Sequence, residues 1–309
     1  MNVAKAILLK SISALLFATL SALVRFLGEQ AVPLGQVVFF RSACAILPVV
    51  VIYAWRRELI HAVRTGRPFG HLARGMISIV GMFLNFAALA RLPLVDATAI
   101  SFAAPFITVI LAALFLSERV RVYRWSAVVS GFIGIVVMLW PYLDLSKYAA
   151  GGSATAAATV GAICGLAGAF TNAGSVIQTR RLTDTETTSS IVFYFSLFCA
   201  LAGLATWPFG WISPNATQFS ALVAAGVVGG LAHIVLTSSY RYAPASLVAP
   251  LDYTMMIWAF VFGYFLFDEI PTVYAFIGGA IIAGSGLFVV LRQRQLALRR
   301  IREVEGPKI

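Results

Sequence analysis

Residues 92–120 read LPLVDATAISFAAPFITVILAALFLSERV: an apolar run that opens at Pro93, ends at Glu118 and is followed by Tyr123. The same marks return 151 residues later as Pro244, Glu269 and Tyr274, and Gly75 returns as Gly226. Five long apolar segments lie in each half. A half with an odd number of membrane crossings delivers the chain to the opposite face, so its second copy enters the bilayer upside down. Two half-shells related by an axis in the membrane plane can expose one central site to either side, which is the architecture of secondary transporters.

Composition agrees with the pattern. The 309 residues are 60% hydrophobic and 11% charged, with a mean hydropathy of +0.90. A soluble chain carries about one quarter charged residues. Apolar runs of about 20 residues match a hydrocarbon core of about 30 Å crossed as helix. Lipid offers no partners to backbone amides, so these runs are helices rather than open strands. The expectation is an all-α membrane protein with ten transmembrane helices in two inverted five-helix repeats. The spans fall near 7–24, 35–55, 73–90, 97–116, 123–140, 157–178, 189–207, 218–239, 246–266 and 273–291. The first repeat occupies 1–146, an Ala, Gly, Ser and Thr-rich linker 147–156, and the second repeat with its tail 157–309.

Basic residues set the orientation. A cytoplasmic amino terminus places 19 of the 23 Lys and Arg residues on the cytoplasmic side, leaving Arg25, Arg91 and Lys147 outside and Arg41 within a span. Both termini are therefore expected in the cytoplasm. The formal charge of +11 is spread over every inner loop rather than gathered on one face, which argues against nucleic-acid binding. The first apolar segment lacks a convincing small-residue cleavage site, and nine more spans follow it, so it reads as a span rather than a signal peptide.

Several classes of chemistry are not supported. No Walker phosphate loop, paired metal-ligand histidines or nucleophile elbow is present. Cys44, Cys164 and Cys199 fall in three separate spans and suggest neither a disulfide framework nor a metal cluster. With three His, two of them between spans 2 and 3, a membrane-embedded enzyme lacks a catalytic cluster. A structural or regulatory membrane protein would need neither an inverted repeat nor polar groups at depth. No cofactor is expected.

Polar residues inside spans carry a penalty of roughly 2.5–3.5 kcal/mol for a charge at the helix centre, so they face the bundle interior. Arg41 reads as a structural anchor; Asn85 and Asn172 are interhelical glue or ligand contacts. Gly161 and Gly165, with Gly131, Gly134, Gly284 and Gly286, offer small surfaces for close helix approach. His233 and Asp252 are expected at similar depth on neighbouring spans, as a coupling pair or polar contact, with an Asp252–Arg241 ion pair as the structural alternative. Their repeat counterparts, Met82 and Ser101, do not ionise.

The aromatic-arginine run Val38-Phe39-Phe40-Arg41-Ser42, the stretch 92–120, and the second copy FGYFLFDEIPTVYAFIGGAIIAGSG at 262–286 together resemble the EamA family of the drug/metabolite transporter superfamily. The resemblance covers nearly the whole chain. It implies a proline in spans 4 and 9 about three turns before a closing glutamate. Pro105 fits in the first copy; its counterpart is Met256, and the second proline stands at Pro250. Glu118 and Glu269 match the closing glutamates, with the expected structural role of binding the N–H groups that start the next helix. TETTSSIVFYFSL at 185–197, LTSSYRYAPASLVAPLDYT at 236–254 and FDEIP at 267–271 resemble riboflavin uptake members, and are similar to S-adenosylmethionine uptake members. The expected function is uptake of a small metabolite, riboflavin first, with S-adenosylmethionine or an amino acid as the alternative. Phe39, Phe40, Asn85, Phe102, Tyr194 and Tyr253 are the candidate lining residues. The expected partners are the bilayer and a small-molecule substrate such as a flavin, with a second copy of the chain allowed.

Overall fold

The computed structural model describes residues 3–55, 64–115, 122–142, 153–183, 185–239, 242 and 249–305. Every regular element among them is helical. Span 1 is Val3–Glu29, span 2 Leu34–Trp55 and span 3 Pro68–Leu89. Span 4 comes in two pieces, Leu94–Ser101 and Ala103–Phe115, and span 5 is Val122–Leu139. Spans 6, 7 and 8 are Ser153–Thr183, Thr188–Leu204 and Ala216–Ser239. Span 9 joins a 3₁₀ segment, Ala249–Tyr253, to Thr254–Phe267, and span 10 is Val273–Glu305. Among the described residues, five stretches are long and apolar enough to cross a bilayer outright: Ala4–Glu29, Pro68–Leu89, Leu94–Phe115, Ala156–Thr179 and Ala216–Leu236. The other five spans carry shorter apolar helices.

The ten expected spans are all present, with some ends moved outward. Span 6 starts at Ser153, inside the region read as linker, because the Ala-rich stretch SATAAAT supports helix. Span 10 runs on to Glu305, since Leu, Arg, Gln and Ala extend a helix readily beyond the lipid. Glu118 and Arg241 lie outside the described residues.

Helix packing repeats the inversion. Span 3 packs on span 6 as span 8 packs on span 1, and span 4 packs on span 6 as span 9 packs on span 1. Span 2 meets span 8 as span 7 meets span 3, while spans 2 and 7, and spans 5 and 10, pair with their own counterparts. Small residues permit this closeness. A Cβ at Gly75 would overlap Phe198, and one at Gly226 would overlap Cys44, the corresponding site in the other repeat. Gly134 and Gly278 bring the backbones of spans 5 and 10 together. Gly284 corrects the expectation of close approach, since nothing stands within 4 Å of where its Cβ would be.

The buried side chains form two main clusters. One gathers Leu92, Ile100, Phe102, Phe106, Ile135, Met138, Ile177, Met256 and Ile282, from spans 4, 5, 6, 9 and 10 and the end of span 3. The other gathers Leu20, Val24, Val38, Met82, Phe86, Cys199 and Leu222, from spans 1, 2, 3, 7 and 8. Large apolar side chains such as Leu47, Phe69, Ile133, Ile163, Phe170, Leu231 and Ile257 stay exposed outside these clusters. So much exposed apolar surface is unfavourable in water and suits contact with lipid tails.

Spans 4 and 9 are both interrupted. Pro105 explains the first break: it has no N–H, and its ring collides with the carbonyl four residues back, that of Ser101. The helix ends at Ser101, Phe102 makes the junction, and Pro105 becomes the third residue of a new helix, where no intrahelical donor is needed. In span 9, Pro250 lies in the first turn of the 3₁₀ segment, which gives way to α-helix after Tyr253. The junction residues Phe102 and Tyr253 are 151 positions apart. The displaced proline therefore leaves the break at the same place in both repeats.

Candidate functional site

Phe102 and Tyr253 face each other where the two broken spans meet. Their ring centroids are 5.1 Å apart at an interplanar angle of 34°. A residue that touches its own repeat counterpart lies on the axis relating the repeats, so this contact marks that axis. Tyr253 carries its hydroxyl across Gly286 of span 10, at a place that any Cβ would occupy. Thr98 Oγ1, one turn before the break in span 4, is buried and has no hydrogen-bond partner among the described residues. Broken helices on the repeat axis are where transporters of this architecture bind their substrates.

The other candidate lining residues divide among three neighbourhoods. Phe39 and Phe40 pack edge to face at 5.4 Å. Both approach Trp211, and Phe40 also meets Phe219, so they join span 2 to the connection between spans 7 and 8 and to the start of span 8. Tyr194 lies over His71 at 4.7 Å and packs beside Phe193 and Phe198. Asn85 donates to the Gly81 carbonyl one turn back, and its amide fills the space left by Gly168 of span 6.

His233 and Asp252 each find a partner on span 1. Asp252 makes an ion pair with Lys10 at 2.7 Å, in which the lysine side chain is 1% exposed and the aspartate 52%. His233 packs edge to face on Phe17 at 5.0 Å. Lys10 and Phe17 are seven residues apart, roughly 10 Å along the helix at ~1.5 Å per residue. The two groups are thus anchored at different heights. The basic-residue pattern alone assigns Lys10 to the cytoplasmic flank. Span 1 begins at Val3, which carries Lys10 two turns into the bundle.

Arg41 is 8% exposed. Its Nη1 approaches the Met82 thioether at 3.7 Å, and its guanidinium lies 5.8 Å from the Phe195 ring. Its Nε has no hydrogen-bond partner among the described residues. Arg74 approaches the same ring at 5.1 Å and donates to Thr179 Oγ1 at 2.6 Å and to the Ile191 carbonyl at 3.0 Å. The basic-residue pattern places Arg74 on the cytoplasmic side, and the structure sets it inside span 3, packed against spans 6 and 7.

Two acids work at the ends of spans. Glu269 accepts from the backbone N–H of Leu94 at 2.7 Å and pairs with Arg25 at 3.1 Å. The expectation had Glu269 serving the start of span 10; the helix start it touches is that of span 4, in the other repeat. Burial pushes its carboxyl up, against the pull of the Leu94 N–H and Arg25, and it stays above the usual range. Glu186, between spans 6 and 7, accepts from the N–H groups of Gly66 and Arg67, both at 2.9 Å, and from Thr65 Oγ1 at 3.0 Å. His71 Nε2 lies 3.4 Å from its other oxygen. Burial raises this carboxyl, but its donors from Gly66, Thr65 and His71 outweigh burial and hold it below the usual range.

Among the described residues, no group of three His, Cys, Asp or Glu side chains could hold a metal ion. The arrangement offers stacking surfaces, buried ion pairs and guanidinium donors, all of which can bind a small polar molecule.

The chain has relatives of known name. It is 29% identical over 258 residues to the S-adenosylmethionine uptake transporter of Rickettsia prowazekii, covering 83% of this chain and 82% of that protein. It is 29% identical over 281 residues to the pseudopaline exporter CntI of Pseudomonas aeruginosa, covering 89% and 92%. It is 28% identical over 236 residues to the riboflavin transporter of Rhizobium johnstonii, covering 76% and 74%. A solved crystal structure matches the fold with a TM-score of 0.66 at 19% identity, over 94% of this chain and 97% of that one. The EamA-like transporter family matches twice, over residues 4–140 and 159–292, and the chain belongs to that family of membrane transporters of small metabolites.

Proposed function

We propose that this protein takes up a small metabolite bearing a flat heteroaromatic ring, with riboflavin and S-adenosylmethionine as the two candidates. The observation that carries this reading is the Phe102–Tyr253 pair on the repeat axis, where spans 4 and 9 both break. An inserted ring would exchange one aromatic contact for two. Such contacts are worth about 0.5–1.5 kcal/mol each beyond area burial. Riboflavin offers an isoalloxazine for this purpose, and S-adenosylmethionine an adenine. Both compounds appear in the names of relatives, which supports the class without choosing between its members.

The repeats, set at 1–146 and 157–309, rock about this site, with both termini cytoplasmic in the inner membrane. The substrate crosses chemically unchanged. The decisive test is uptake of labelled riboflavin and labelled S-adenosylmethionine into proteoliposomes holding the full chain. Saturable uptake of one, lowered severalfold in Phe102→Leu and Tyr253→Leu, supports the reading. Transport of an aliphatic amino acid with neither ring compound competing would overturn it.

A further inference from the structure

We propose that Arg41 and Arg74, both set against the Phe195 ring, form an anion subsite that takes the carboxylate of the transported metabolite. This rests on the transporter reading above and goes on to choose between its two candidates.

Three observations carry the inference. The first is uncompensated charge. Lys10 has Asp252, and Arg25 has Glu29 and Glu269. Neither Arg41 nor Arg74 has a carboxylate partner among the described residues. Their contacts are a thioether, a hydroxyl, a carbonyl and one shared ring. Two like charges set against one ring inside a membrane bundle, 5.8 and 5.1 Å from its centroid, are unfavourable unless an anion joins them. The second observation is the orphaned Arg41 Nε, buried and turned toward Gly229 of span 8. A guanidinium with unused donors matches a carboxylate in two parallel hydrogen bonds.

The third observation is position. Aligning Val38–Ser42 with Val192–Ser196 makes Phe195 the repeat counterpart of Arg41, 154 residues on. Arg41 therefore touches its own counterpart, as Phe102 touches Tyr253. Both contacts lie on the in-plane axis and hence near the middle of the bilayer. One belongs to the cluster of spans 4, 5, 6, 9 and 10, the other to that of spans 1, 2, 3, 7 and 8. A ligand at the centre would have a ring platform on one side and a cationic pair on the other. The counterpart of Arg74 is Ala225, so the pair of charges belongs to the first repeat alone. S-adenosylmethionine has both the ring and a carboxylate, whereas riboflavin has no carboxylate.

The test uses the full chain in detergent and in proteoliposomes, with S-adenosylmethionine, its decarboxylated analogue and L-methionine as probes. In the wild type, the decarboxylated analogue should compete about tenfold or more weakly than the parent. Arg41→Gln and Arg74→Gln should raise KM for S-adenosylmethionine by about tenfold or more, yet change competition by the analogue little. Arg41→Lys, which keeps the charge and loses the fork, should fall between. A purely structural Arg41 would lower the ligand-free melting temperature when replaced by Gln. The subsite instead predicts an unchanged or higher melting temperature, with the ligand-induced shift lost. Equal competition by the analogue, or equal loss for both compounds in the variants, would overturn the proposal. Binding of L-methionine that depends on Arg41, with no binding of either ring compound, would sink the ring reading and keep the subsite. Binding of none of the three probes would sink the subsite.

Discussion

Glu269, at the end of span 9, accepts a hydrogen bond from the Leu94 backbone N–H at the start of span 4, 2.7 Å away. Span 4 begins with unsatisfied amide donors and no side-chain cap of its own. The last carboxylate of the second repeat thus closes a helix of the first, and Arg25 of span 1 holds that carboxylate in place. Glu269→Ala should lower stability by about 1–2 kcal/mol, the usual cost of losing a helix cap. Glu269→Gln should cost less, because the amide oxygen can still accept from Leu94. Thermal unfolding in detergent, followed by loss of the monodisperse elution peak, measures both. Equal melting temperatures for wild type and the alanine variant would remove Glu269 from the stability account.

The Phe102–Tyr253 pair makes a graded prediction for transport. Tyr253→Phe keeps the ring and should leave kcat/KM for the transported ring compound near that of the parent. Phe102→Leu and Tyr253→Leu each lose one stacking surface of about 0.5–1.5 kcal/mol, so each should lower kcat/KM roughly two- to tenfold. Concentration-dependent initial rates in proteoliposomes separate the three. A Tyr253→Phe variant as poor as Tyr253→Leu would assign the effect to the hydroxyl that lies across Gly286.

How far the sequence could be read depends on the range of each interaction. The ten spans follow from local apolar runs, and the inversion follows from marks repeated at a fixed distance. Both are properties of segments, so they were legible. Breakage of span 4 was foreseeable from Pro105. The matching break at Tyr253 was not, because Pro250 sits at a different place and only the folded backbone aligns the two junctions. Among the site residues, Phe102 and Tyr253 were nominated separately, and their contact depends on spans 4 and 9 crossing at the axis. Lys10 and Arg74 fall inside the expected spans 7–24 and 73–90 yet count toward the cytoplasmic charge, because hydropathy does not show whether a cation near a span end turns to water or into the bundle. One turn decides whether a cation lies in water or in the bundle.

The Lys10–Asp252 pair predicts an asymmetry between two single variants. Lys10 is the buried partner and Asp252 is half exposed. Asp252→Asn leaves a buried ammonium without its counter-charge and should destabilise by about 1–3 kcal/mol, discounted from the fully buried case because Asp252 reaches solvent. Lys10→Met leaves an aspartate that water can still solvate and should cost less. The double variant Lys10→Met/Asp252→Asn should recover most of the loss from Asp252→Asn alone. A thermal double-mutant cycle checks this, and strictly additive losses would show that the pair is not coupled.

Glu186 predicts how stability responds to acid. Its carboxylate gathers the N–H groups of Gly66 and Arg67, the Thr65 hydroxyl and His71, tying the connection before span 3 to that between spans 6 and 7. These donors hold its pKa below the ordinary glutamate value of about 4.3 despite burial. A carboxyl whose folded pKa is depressed stabilises the fold fully above its unfolded pKa, and that stabilisation is lost as pH falls through the folded value. Glu186→Gln should therefore melt lower than the parent at pH 7, with the gap constant down to about pH 5 and closing below about pH 4. Replacing His71 with Phe keeps the ring packing on Tyr194 and removes one donor, so it should narrow the gap at pH 7 without abolishing it. Melting temperatures of the parent, Glu186→Gln and His71→Phe at pH 3.5, 5 and 7 are the measurement, chosen to bracket the carboxylate range. A gap that widens on acidification would reverse the sign and show that burial, rather than its hydrogen-bond donors, governs Glu186.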